Sequence, residues 1–97
     1  MARFDLYRPH DRYLLDVQSS LITGLGTRLV VPLAPPLTVP PAIRRLHPIF
    51  SVDGQSLLMA THLMGSVPER QLGGKVGSLD RNYDQIVAAL DMIFLGF

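Results

Sequence analysis

Phe4-Asp5-Leu6-Tyr7 alternates apolar with polar side chains, the period of two expected of a half-buried β-strand. A second run, Tyr13 to Ser19, sends Leu15, Val17 and Ser19 to one face and Leu14, Asp16 and Gln18 to the other. Between them, Arg8-Pro9-His10-Asp11-Arg12 has the proline and aspartate of a hairpin loop. Arg28-Leu29-Val30-Val31-Pro32-Leu33 is β-branched at its centre and predicts a third strand, with Gly24 and Gly26 before it free to turn or bulge. Ile49 to Val52 and Gln55 to Thr61 flank Asp53-Gly54. That pair is the strongest hairpin signal in the chain, because a type I′ turn needs positive φ at both central positions. Met64 to Pro68 predicts another short strand, and Gly73, Gly74 and Gly77 read as a loosened connection.

The pattern then changes period. Tyr83, Ile86, Val87, Leu90, Ile93, Phe94 and Phe97 recur at three- and four-residue steps, one apolar stripe of a helix. Asp80 is placed to cap its start, Asp84 complements the positive end of the dipole, and Gly96 can end it. Asp84, Asp91 and Leu95 lie off the centre of the stripe. Five of the eight prolines fall between Pro32 and Pro41. They exclude helix and central strand there and predict an extended connection lying across the body. Many short strands followed by one helix predict a mainly β domain spanning 1–97, a small antiparallel barrel or sheet capped by a C-terminal helix.

Composition narrows the class. Ninety-seven residues allow one core, and nine basic against eight acidic side chains leave a net charge of +1. That is too little for a nucleic-acid binder working through its overall field. With no cysteine there is no disulfide frame or thiol nucleophile, which suits a reducing cytoplasm. The charged start, from Arg3 to Arg12, has no signal-peptide core, and no apolar window approaches the ~20 residues of a membrane helix. A hydrophobic content of 47% and a mean hydropathy of +0.25 leave apolar surface for a partner, and a second copy is the simplest one.

Candidate chemistry is sparse. His10, His47 and His62 lie far apart with no ligand spacing, so each reads as a partly exposed hydrogen-bonding side chain; no metal or cofactor is expected. Asp84 and Asp91 are two helical turns apart, ~10.5 Å, too far for an acid–base dyad. Neither Gly73-Gly74-Lys75 nor Gly24-Leu25-Gly26 completes a phosphate-binding fingerprint. The unusual feature is the ending, Ile93-Phe94-Leu95-Gly96-Phe97. Such a tail either meets another molecule or seals the barrel or a dimer seam.

Val17-Gln18-Ser19, then Ile22, then Arg28 to Leu33 resemble the first half of the CcdB toxin family. Leu46-His47-Pro48, Ser66-Val67-Pro68 and Met92-Ile93-Phe94-Leu95-Gly96-Phe97 match its second half. The similarity runs almost end to end, ungapped from Leu46 to Phe97, with the loop around His10 and the proline segment slightly shorter than usual. The resemblance implies a homodimeric SH3-like barrel with a C-terminal helix, the toxin of a toxin–antitoxin pair. Such a toxin binds the A subunit of DNA gyrase and traps the enzyme with its DNA cut, without bond-making chemistry of its own. A CcdA-like antitoxin would strip it from gyrase, and together the two would repress their operon.

By the same resemblance Leu95, Gly96 and Phe97 supply the main gyrase contacts. Ser19, Leu21 and Ile22 match a loop near those tips, and Asp84 and Asp91 match helix positions beside them. Ile93, Gly96 and Phe97 are expected at the dimer interface. The family usually has tryptophan where this chain has Leu95, which implies a weakened anchor, or a homologue serving only as antitoxin sink or corepressor. The rival from another class is a ribonuclease toxin of the same fold, resembling MazF and Kid, for which Arg28, His47 and His62 are the candidate groups.

Overall fold

The computed structural model describes residues 1–38 and 43–97, so the part of the proline segment from Val39 onward lies outside the described residues. Seven strands, β1 (Asp5–Tyr7), β2 (Leu14–Asp16), β3 (Thr27–Ala34), β4 (Ile49–Val52), β5 (Gln55–Met59), β6 (Gly65–Pro68) and β7 (Lys75–Ser78), precede one helix, α1 (Tyr83–Leu95). All the strand pairs are antiparallel, in the order β4-β5-β3-β2-β1-β7 with β6 also on β3. The result is a mainly β, curled antiparallel half-barrel with one C-terminal helix, between the barrel and the sheet that the strand pattern allowed. Among the described residues β4 and β7 do not pair. Ser51–Asp53 and Val76–Leu79 instead face each other across a cleft of about 160 Å³.

The long strand β3 organises the sheet. Along one edge it pairs β2, Leu15 opposite Val31; along the other it pairs β6 first and β5 afterwards. Pro32 falls where β3 passes from one partner to the next, after Val30↔Gly65 and before Leu33↔Met59. Its missing N–H therefore breaks no ladder bond, while its carbonyl accepts from the Ala60 amide at 2.9 Å. This corrects the exclusion of a central strand from Pro32 onward. Pro36–Thr38 is also a 3₁₀ turn and not extended, since proline's fixed φ suits the start of a helical turn.

The Asp53-Gly54 hairpin forms as expected, with φ of 51° and 78°. Other elements differ. Asp5, Leu6 and Tyr7 are all buried, so β1 is not half-exposed. It lies between β2 and β7, and the Asp5 carboxylate is satisfied by Lys75 Nζ at 3.2 Å and the Ala2 amide at 2.9 Å. Strand β7 gave no apolar alternation because it is an exposed end strand, three of its four residues lying open to water. The Tyr13–Ser19 run is strand only over Leu14–Asp16. At the helix start, Asp80–Asn82 forms a 3₁₀ turn closed by the Asn82 amide on Leu79 O, so Asp80 does not cap α1.

Leu15, Val31, Met59, Ile86 and Ala89 are fully buried in one cluster joining the sheet to α1. The Phe4 ring meets Tyr83 edge-on, centroids 5.6 Å apart, and fastens the first turn of the helix. Among the described residues no helix is long and apolar enough to cross a membrane.

Candidate functional site

Helix α1 presents one apolar face along its whole length, but its surroundings change along the way. Ile86, Ala89 and Leu90 on that face are buried against the sheet. Ile93 continues the same face at about 100° of rotation per residue, yet it is 37% exposed, and Phe94 beside it is 67% exposed. The helix outruns its own body by about one turn. Gly96 then ends it in the left-handed region at φ 83°, its amide donating to Met92 O at 2.9 Å. Past this cap Phe97 is 74% exposed, and Leu95 is 61% exposed on the side of the helix opposite Ile86.

Asp84 and Asp91 share that opposite, solvent-facing side and are exposed. Asp91 stands one turn before Leu95. Asp84 lies eleven residues back, roughly 16 Å along the axis, so only Asp91 borders the tip through the helix itself.

Leu21 and Ile22 are carried by a different element, the connection between β2 and β3. Leu21 is 93% exposed. Beneath this loop Asp16 and Arg28 form a buried ion pair with two hydrogen bonds, Nε to Oδ2 at 2.7 Å and Nη2 to Oδ1 at 3.0 Å. Arg28 also donates from Nη1 to Ile22 O at 3.1 Å and from Nη2 to Gln18 O at 3.3 Å. Its guanidinium is held charged chiefly by the hydrogen bonds to Asp16. Gln18 donates from its amide to Asp16 Oδ1 at 3.0 Å and from Nε2 to Ile22 O at 2.8 Å, and accepts from the Leu29 amide at 3.0 Å. Ser19 Oγ accepts from the Leu21 amide.

Two histidines that sequence spacing kept apart meet in space. His47 Nε2 lies 2.9 Å from His62 Nδ1, the rings edge-on. The Ile43 amide donates to His47 Nδ1 at 2.9 Å. An amide can only donate, so Nδ1 accepts, Nε2 carries the proton, and His47 is neutral. Burial, then the neighbouring His62, pushes the His47 pKa below its ordinary value. His47 is buried, against the expectation of partial exposure, while His62 is exposed. The signal missed was the three-residue turn at Thr61–Leu63, which follows β5 directly and swings His62 onto the 43–48 segment.

For acid–base work on RNA the three candidate groups are poorly disposed. Arg28 is buried on Asp16, and both ring nitrogens of His47 already have partners. No cluster of three or more metal-ligating side chains occurs among the described residues.

The fold is thus a half-barrel with one C-terminal helix whose last turn stands exposed. Residues 3–96 match the model of the CcdB protein family, and the chain belongs to that family. It is accordingly of the toxin class of CcdA/CcdB systems.

Proposed function

We propose that the chain is a gyrase poison acting as a two-fold pair. One observation carries this reading: the apolar face of α1 passes from buried at Ile86, Ala89 and Leu90 to open at Ile93, Phe94 and Phe97. A contiguous exposed apolar surface of this kind marks a contact with a partner. In this reading Ile93, Gly96 and Phe97 meet the same residues of a second copy in an isologous contact. Leu95 points the other way, toward the A subunit of DNA gyrase. Two such tips side by side suit a two-fold cleft between gyrase subunits, where they would hold the enzyme with its DNA cut.

Asp91, one turn from Leu95, would border that contact, with Leu21 and Ile22 offering further apolar area. A CcdA-like antitoxin would compete for the toxin, and the complex would repress the operon. The test is a gyrase cleavage-complex assay with full-length protein and a variant lacking Leu95 to Phe97. Linear DNA that depends on gyrase, and that the deletion abolishes while the protein stays folded, supports the reading. Unfolding of the deletion variant would make the tail a core element, and cleavage of single-stranded RNA at substoichiometric protein would favour the ribonuclease.

A further inference from the structure

Asp53 is the chain's one aspartate followed by glycine, and its one asparagine, Asn82, is followed by tyrosine. An aspartyl–glycyl pair carries a chemistry of its own. The Gly54 amide nitrogen can attack the Asp53 side-chain carbon Cγ when the carboxyl is protonated. An N–Cγ bond forms, the Cγ–O bond breaks, and the oxygen leaves as water with the amide proton and the carboxyl proton. The product is a five-membered imide. Water then attacks its main-chain carbonyl carbon, the bond from that carbon to nitrogen breaks, and the chain is left linked through Cγ as isoaspartate. Glycine favours the first step because it has no side chain to hinder the approach.

The hairpin leaves this pair accessible. Asp53 and Gly54 are both exposed, and nothing stands within 4 Å of where a Gly54 Cβ would be. The β4–β5 ladder closes at Val52↔Gln55, so the Gly54 amide lies outside it. Neither burial nor the ladder shields the site.

What holds it is one side-chain contact from forty residues away in sequence: the Tyr13 hydroxyl donates to Asp53 Oδ2. The tyrosine is itself fixed. It is buried, its carbonyl accepts from the Leu33 amide at 3.0 Å, and the Arg8 guanidinium lies 5.0 Å from its ring centroid. The hydrogen bond to the Asp53 carboxylate raises the Tyr13 pKa above its ordinary value, so the hydroxyl keeps its proton and remains a donor at neutral pH. Bringing Cγ onto the Gly54 nitrogen requires the aspartate side chain to rotate about Cα–Cβ, and that rotation carries Oδ2 off the hydroxyl.

We infer that Asp53-Gly54 is a site of spontaneous isoaspartate formation in this chain, held in check by the Tyr13 hydroxyl. The rearranged link adds one backbone atom to a two-residue turn, whose type I′ geometry it cannot keep. Among the described residues β4 is an end strand paired with β5 alone, so its register depends on that turn.

The test compares the natural chain with Tyr13→Phe, which keeps the ring and loses only the hydroxyl, so the fold should persist. Both are incubated at neutral pH, and isoaspartate at residue 53 is followed by enzymatic methylation of its freed α-carboxylate and by fragmentation mass spectrometry. The variant should accumulate it about tenfold faster, the factor that losing one hydrogen bond to a charged group implies. Amide exchange across β4 and β5, measured before ageing, should be unchanged. The natural chain unfolded in urea should react at least as fast as the variant. Asp53→Glu should give no signal at this position, because its longer side chain has to close a six-membered ring.

Equal rates in the folded natural chain and Tyr13→Phe overturn the inference, because the hydroxyl then protects nothing. Faster reaction accompanied by faster exchange across β4 and β5 also overturns it, since general loosening of the hairpin accounts for the rate. Absence of isoaspartate from the natural chain, the variant and the urea-unfolded chain removes the site altogether.

Discussion

Leu95 and Gly96 sit next to each other at the end of α1 and should answer substitution differently. Leu95 is open on the outer side of the helix, so Leu95→Trp fits without repacking. A tryptophan adds rigid buried area and an indole donor in a contact, and an anchor of that kind is worth ~2 kcal/mol or more. Leu95→Trp should therefore tighten gyrase binding at least about tenfold, measured by titrating the cleavage complex. Unchanged titration curves would remove Leu95 from the contact. Gly96 has open space where a Cβ would stand, but its φ is +83°. Gly96→Val thus introduces backbone strain without a clash, and only the last helical turn depends on that conformation. Gyrase binding should fall by more than the thermal midpoint suggests; equal losses would mark Gly96 as a structural stop only.

At the scale of elements, the His47–His62 contact joins the 43–48 segment to the turn after β5 and gives a pH signature. The neutral His47 ring accepts from Ile43 and donates to His62, an arrangement a protonated ring cannot keep. Its folded pKa is lowered below the 6.5 of a free histidine. The unfolded chain therefore binds the extra proton first as pH falls. Stability should be full above about pH 6.5, decline as pH drops below it, and level off for this group beneath the lowered value. Urea unfolding between pH 7.5 and 5.5 should show this, and His47→Gln should flatten the dependence; an unchanged slope would locate it elsewhere. Neither histidine's partner was legible in the sequence, because the contact spans fifteen residues and depends on a 3₁₀ turn that no local pattern announces. Elements with strong local chemistry were legible: the Asp53-Gly54 hairpin from its φ requirement, and the body of α1 from its stripe. Strand β7 was not, since Lys75-Val76-Gly77-Ser78 is an outlying strand held by pairing with β1 and not by an apolar face. At the site, residue types marked the ending Ile93–Phe97 as unusual but left open whether it was covered, and only the structure shows it exposed. The Asp16–Arg28–Gln18 framework was not legible, because alternation placed Asp16 and Gln18 on one face with Leu14 and gave no sign that Asp16 is fully buried against Arg28.

For the whole molecule, the helix changes surroundings along its length, buried against the sheet at Ile86, Ala89 and Leu90 and open at Ile93, Phe94 and Leu95. Ile86→Ala removes a fully buried side chain where α1 meets the sheet and should cost about 2–5 kcal/mol, seen as a lower urea midpoint with an unchanged slope. Ile93→Asp, one turn beyond Leu90, should leave that midpoint nearly intact for the separated chain and shift sedimentation from dimer to monomer. A sedimentation profile matching the natural chain would place Ile93 outside the seam. The loop after β2 is gripped through the carbonyl oxygens of Gln18 and Ile22, atoms that every amino acid possesses. Its outward side chains are thus free to drift without altering the shape that displays them. Leu21, Ile22 and Leu25 could be exchanged one at a time over evolutionary time while the backbone beneath them keeps its course.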